Sequence, residues 1–136
     1  MKVRFDQMSG VKINLIEEYF QRMSHSDIDG IIAMFASDGF VISPFLGKMS
    51  ASDFFMKLGN ASTKSTLTIY DILISGSQNT GAGHFRYDWT LADGSELSFE
   101  GVDHFTFNDD LKFQSMRIYY DTHPLRQEVG DKYANA

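Results

Sequence analysis

Between residues 11 and 23, Val11, Leu15, Ile16, Tyr19, Phe20 and Met23 recur at helical spacing, with Glu17, Glu18, Gln21 and Arg22 between them. That pattern predicts an amphipathic helix, with Ser9 as its N-cap and residues 1–9 as a lead-in. Residues 27–35 give a second, shorter helix with Ile28, Ile31, Ile32 and Phe35 turned inward. Ser37-Asp38-Gly39 reads as a turn, residues 40–45 as a short strand ending at Pro44, and residues 47–49 as another turn. Ser50 can cap a third helix bearing Phe54, Phe55 and Leu58. From Thr66 the period changes to two. Strands are expected over residues 67–75, 84–91 and 97–107, with a last one ending near Asp121. A polar loop spans residues 76–83, and turns fall at Asp93-Gly94 and Asn108-Asp109-Asp110. The order predicts an α+β fold: three helices from the N-terminal half on one face of a curved antiparallel sheet. Residues 122–136 read as a polar surface tail.

The most informative stretch is residues 97–107. Leu97, Phe99, Gly101, Asp103, Phe105 and Phe107 share one strand face, and Asp103 is the one carboxylate in that stripe. Burying a carboxylate is costly unless something compensates it, so Asp103 is expected to serve a pocket. A two-residue hairpin at Asp93-Gly94 would set His84 opposite Asp103, Arg86 opposite Gly101 and Asp88 opposite Phe99. An even loop at the next turn would set Met116, Ile118 and Tyr120 opposite Asp103, Gly101 and Phe99. The expected pocket face thus holds His84, Arg86, Asp88, Phe99, Asp103, Phe105, Met116, Ile118 and Tyr120, with Gly101 leaving space. The other face would carry Phe85, Tyr87, Trp89, Val102, His104, Phe113 and Tyr119, an aromatic patch that suggests a homodimer.

Composition narrows the class. The chain has 136 residues, is 43% hydrophobic and 14% aromatic, and is expected to form one domain with its core over about residues 11–125. It has no cysteine, which excludes disulfides and a thiol nucleophile. A net charge of -6 argues against nucleic acid and anionic membranes as partners. No apolar run reaches the length of a membrane span or resembles a secretion signal, so a cytoplasmic location is expected. The histidines His25, His104 and His123 are scattered, and no metal or other cofactor is expected.

Several motifs resemble the nuclear transport factor 2-like superfamily, particularly its ketosteroid isomerase and SnoaL-like polyketide cyclase branches. They are I-E-E-Y-F at residues 16–20, D-I-D-G-I-I-A-M-F-A-S-D-G at 27–39, S-P-F at 43–45 and V-D-H-F-T-F-N at 102–108. Met116-Arg117 and Tyr119-Tyr120-Asp121 complete the set. The resemblance implies a cone, in which three helices close over the curved sheet around a deep apolar pocket. The isomerase branch implies that Asp103, protonated, and Tyr19 form an oxyanion hole, and it puts Ser43 where that branch carries its base. The cyclase branch leaves Asp88 or His84 to move the proton. Limonene epoxide hydrolases share the Arg86-Tyr87-Asp88 spacing, but their second aspartate would fall near Ile118.

The resulting expectation is an isomerase- or cyclase-type enzyme acting on a small apolar carbonyl compound, steroid- or polyketide-like, through enolate stabilisation. Asp103, Tyr19, Asp88 and His84 would be catalytic, and Arg86, Phe99, Phe105, Met116, Ile118, Tyr120, Ser43 and Phe54 would contact the ligand. Two alternatives stand beside it. One is a non-catalytic ligand-binding or association module, and the other a dehydratase or epoxide hydrolase built on His84, Arg86 and Asp88.

Overall fold

The computed structural model describes residues 2–122, with side chains from Met8 onward. The expected surface tail lies almost wholly outside the described residues. In chain order the elements are α1 (Lys2–Ser24), α2 (Ile28–Ala33), β1 (Phe35–Ser43), β2 (Gly47–Ser50), α3 (Ala51–Ala61), β3 (Ser62–Ile74), β4 (Thr80–Leu91), β5 (Glu96–Phe107) and β6 (Phe113–Tyr120). The strands form one curved, unclosed sheet in the order β2-β1-β6-β5-β4-β3. The sheet is mixed, because β1 runs parallel to β6 while the other four pairs are antiparallel.

The helices cover the inner face of this sheet. On α1, Ile16, Tyr19, Phe20 and Met23 are buried at i, i+3, i+4 and i+7. They meet Phe85 of β4, Phe105 of β5, and Phe113 and Met116 of β6. Phe54 and Phe55 of α3 close the other side against Phe35. Asp27 caps α2 by accepting a hydrogen bond from the Gly30 N–H at 3.1 Å, and Ser50 caps α3 through the Asp53 N–H at 3.2 Å.

Several local expectations are corrected. Ser9 lies inside α1, so it caps nothing. Ser37-Asp38-Gly39 is an irregular stretch within β1, where pairing with β6 breaks between Phe35 and Phe40. Residues 47–49 belong to β2, and β4 starts at Thr80, so the polar loop shortens to residues 76–79.

One correction decides the site. The β4–β5 connection has three residues rather than two. The Gly94 N–H donates to the Leu91 carbonyl at 3.0 Å, and the Leu91 N–H donates to the Ser95 carbonyl at 2.8 Å. Gly94 sits at φ +86, the left-handed conformation that the third position of such a loop requires and that glycine adopts without a steric cost. Leu91 therefore faces Ser95, and the register slips by one: Tyr87 faces Phe99, Phe85 faces Gly101, and Gly83 faces Asp103. A one-residue slip turns every side chain of β4 over. Phe85, Tyr87 and Trp89 go inward, and His84, Arg86 and Asp88 go outward. Phe113 is also buried, so the aromatic patch expected on the outer face loses Phe85, Tyr87, Trp89 and Phe113.

The β5–β6 register slips by two, pairing Asp103 with Ile118 and Phe105 with Met116. An even slip changes partners but keeps faces. Phe99, Asp103, Phe105, Met116, Ile118 and Tyr120 accordingly stay inside, as the sequence pattern predicts.

Candidate active site

Where the sheet curves away from α1 and α3, a cavity of about 150 Å³ remains. Its walls are largely aromatic and aliphatic: Tyr19 and Met23 from α1, Phe54 and Leu58 from α3, Phe85, Tyr87 and Trp89 from β4, and Phe99, Ile118 and Tyr120 from β5 and β6. Leu46, from the exposed β1–β2 turn, and Leu67 of β3 complete the lining around Asp103.

Asp103 is 3% exposed, and its Oδ1 has no hydrogen-bond partner. The register explains why. Its neighbours across the ladder are Gly83, which has no side chain, and Ile118, which has no polar atom. A Cβ at Gly83 would collide with the ring of Phe20, so this space belongs to the core and no polar side chain can be offered there. Burial without compensation pushes the Asp103 carboxyl well above the usual carboxylate range. In its protonated form this carboxyl donates one O–H and accepts on the other oxygen.

Tyr19 is held by ring edges. It meets Phe20 and Phe105 at 5.2 Å and Phe55 and Phe113 at 6.1 Å between centroids. Burial, with Asp103 and then Tyr87 adding to it, raises its phenol well above the ordinary value. Tyr87 is pushed up to about 12, chiefly by burial, and its Oη shares a 2.7 Å hydrogen bond with Ser65 Oγ. Tyr120 is also raised by burial. Burial thus favours the uncharged forms of these groups, which present hydroxyl and carboxyl donors to the cavity.

The remaining expected site residues are placed as follows. Phe54, Phe99, Ile118 and Tyr120 line the cavity. Phe105 and Met116 are fully buried in the core and do not line it. Ser43 accepts the Leu46 N–H at 3.2 Å in the β1–β2 turn and is not part of the lining. His84, Arg86 and Asp88 are on the outer face, corrected there by the register slip. His84 packs on Tyr70 at 5.1 Å between ring centroids and lies 3.9 Å from Glu100. Asp88 accepts from Ser98 at 2.6 Å and Arg86 at 3.2 Å, and these bonds hold its carboxyl below the usual range. Exposed contacts of this kind contribute little. His84→Ala and Asp88→Ala are expected to leave ligand affinity within twofold of the parent, measured by fluorescence titration.

Tyr87, Trp89 and Phe85 are the cavity residues that the expected register excluded. The signal for them was present. Phe85, Tyr87 and Trp89 form the more apolar of the two parities of β4, and a strand buries its apolar parity. Among the described residues, no three His, Asp or Glu side chains gather as metal ligands, and no helix is long and apolar enough to cross a membrane.

Residues 16–114 match the sequence profile of the SnoaL-like domain. The chain belongs to the SnoaL-like family. Solved structures agree with that assignment at the level of fold. The polyether-pathway protein SalBIII, described as an epoxide hydrolase/cyclase-like enzyme acting in pyran ring formation in salinomycin, superposes with a TM-score of 0.73 at 17% identity. The match covers 83% of this chain and 92% of that one. AclR of Streptomyces galilaeus gives 0.72 at 18% identity, covering 89% and 96%. An NTF2-like protein of unknown function from Burkholderia pseudomallei gives 0.71 at 15% identity, covering 88% and 98%. No curated protein matches the sequence. In this SnoaL-like domain, the motif at residues 102–108 supplies both the core residue Phe105 and the cavity acid Asp103.

Proposed function

We propose that this SnoaL-like domain binds a small, largely apolar carbonyl compound with its oxygen at Asp103 and promotes an isomerisation or ring closure there. The observation that carries the reading is the buried, unpartnered Asp103 Oδ1 facing an apolar cavity. An unsatisfied polar atom in that setting costs about 1–3 kcal/mol. A ligand oxygen would relieve this cost and receive the carboxyl proton. As negative charge develops on that oxygen, Asp103 and Tyr19 donate to it in a site that excludes water, where such donors act strongly.

Ring closure demands the least of the side chains present. A hydroxyl of the ligand attacks the carbonyl carbon, Asp103 gives its proton to the carbonyl oxygen, and the attacking hydroxyl returns a proton to the carboxylate. One carboxyl group serves both steps. The dehydratase or epoxide hydrolase reading has less support, because His84, Arg86 and Asp88 face away from the cavity.

A second reading, a non-catalytic receptor, is favoured by one observation: among the described residues, Asp103 is the only carboxyl or imidazole group in the cavity lining. The two readings share a first test, a series of phenols of graded acidity titrated into the protein and read by phenol absorbance. The enzyme reading expects affinity to rise with phenol acidity and the bound phenol to be partly ionised, as an oxyanion hole requires. Affinity indifferent to acidity would leave a pocket that only binds.

A further inference from the structure

The cavity at Asp103 is small. At about 150 Å³ it has the volume of sites that take a single benzene-sized ring, whereas ligand pockets ordinarily run to about 300–1,000 Å³. A second space of about 420 Å³ lies directly beside it, between α2, α3 and the start of β3. The two share a wall. Met23 and Leu58 line both. The rest of that wall is two hydrogen bonds that cross it. Tyr87 on the cavity side pairs with Ser65 on the groove side at 2.7 Å, and Trp89 Nε1 donates to Ser62 Oγ at 2.7 Å.

The two rooms differ in chemistry. The cavity is apolar apart from Asp103 and its phenols. The groove presents Ser26, Asp29, Asn60, Ser62, Thr63 and Ser65. The Ser26 hydroxyl and the Asn60 amide both donate and accept and the Asp29 side-chain oxygens accept, which suits neutral hydroxyls. Ser62 is engaged by Trp89 and Leu58, Thr63 by the Leu91 carbonyl and Ser65 by Tyr87. Among the described residues, neither space has a lysine, arginine or histidine in its lining, so a carboxylate or phosphate substituent finds no counter-charge from them. Asp27, also at the groove, is already engaged by Arg22 at 2.6 Å and the Gly30 N–H. The wall itself can yield at one point. Methionine is unbranched and adapts its rotamers more readily than other apolar side chains, and Leu58 is only half-buried.

We propose that the groove is the second half of the ligand site: the ligand sets one apolar ring in the cavity, and a neutral, polyhydroxylated substituent passes between Met23 and Leu58 into the groove. This rests on the cavity being the ligand site. The substrate class is therefore amphipathic, a single ring carrying an oxygen for Asp103 and a sugar-like or polyol arm, rather than a fused tetracycle.

Trp89 is the only tryptophan in the chain and stands in the shared wall, so its fluorescence reports on both rooms. The experiment titrates cyclohexanol, cyclohexyl β-D-glucoside and methyl β-D-glucoside into the full chain and reads Trp89. Cyclohexyl glucoside should bind at least tenfold tighter than cyclohexanol, and methyl glucoside should not bind. Thr63→Phe and, separately, Asn60→Phe place a ring in the groove from exposed positions. Each should abolish the advantage of the glucoside while leaving cyclohexanol within twofold. If cyclohexanol binds and the glucoside gains nothing, or its gain survives both substitutions, the two-room site is wrong and the cavity reading stands. Binding of methyl glucoside as tightly as cyclohexyl glucoside would make the groove a separate site and overturn the proposal. Silence of Trp89 towards all three would remove the cavity reading together with this one.

Discussion

Asp103→Asn is expected to weaken binding of an acidic phenol by about ten- to a hundredfold and, at the same time, to stabilise the fold increasingly as pH rises. The first effect follows from exchanging the carboxyl O–H donor for a weaker amide N–H donor to a charged oxygen, where a hydrogen bond is worth about 1.5–3 kcal/mol. The second follows from linkage. Burial raises the Asp103 pKa in the folded state well above its value of about 3.9 in an unfolded chain. Between those two values the folded protein holds a proton that the unfolded chain has released. The favourable contribution of the protonated carboxyl is therefore complete below about pH 3.9 and is lost as pH rises towards and through the folded pKa. The loss amounts to about 1.4 kcal/mol per pH unit over that window. Asparagine has the same shape and does not titrate, so the difference between variant and parent isolates this one group. Urea unfolding at pH 5 and pH 7 measures it. A larger advantage for the variant at pH 7 supports a buried neutral acid. A difference that is flat or reversed with pH would mean that the folded protein keeps Asp103 ionised, and the proton-donor mechanism would fail with it.

Phe105→Ala should cost about 3–5 kcal/mol of stability, a large part of what holds a domain of this size together. Phe105 has no exposed surface and packs against Phe113 at 4.6 Å, Tyr19 at 5.2 Å and Phe20 at 6.5 Å between ring centroids. It ties α1 to β5 and β6 at the back of the cavity, and the rings around it are too rigid to fill the hole. Because Tyr19 leans on the same ring, the loss should extend to the site: the variant, if folded at low temperature, is expected to bind an acidic phenol more weakly as well. Thermal unfolding followed by circular dichroism gives the first number and absorbance titration the second. A fall of less than about 1 kcal/mol would show that the core closes up around the missing ring, and would contradict the packing described above.

These two residues also mark what could be read without a structure. Asp103 and Phe105 were legible because both lie in one strand whose alternation is nearly perfect, and a single carboxylate in an apolar stripe stands out whatever the partner strands do. Tyr19 falls on the apolar stripe of α1, which marks it as inward-facing, and its place beside Asp103 came from the motif resemblance. The even slip between β5 and β6 did no harm, since shifting a strand by two residues returns each side chain to its own face. His84, Arg86 and Asp88 were misplaced for the opposite reason. Their position depended on whether the Asp93-Gly94 connection had two residues or three, and both lengths suit that dipeptide.

The chain's own pattern thus determined the α+β composition, the three covering helices, the family and the acid at the heart of the cavity, because each depends on local periodicity or on a motif contiguous in sequence. Only the tertiary structure decided the three-residue length of the β4–β5 connection, that β1 runs parallel to β6, that Asp103 stands between a glycine and an isoleucine with its Oδ1 unpartnered, and that a polar groove adjoins the cavity. Those features arise from register and from contacts between residues far apart in the chain. One loop residue in the left-handed conformation is enough to reverse a whole strand, and the face it turns inward here is the more apolar parity of β4, Phe85, Tyr87 and Trp89.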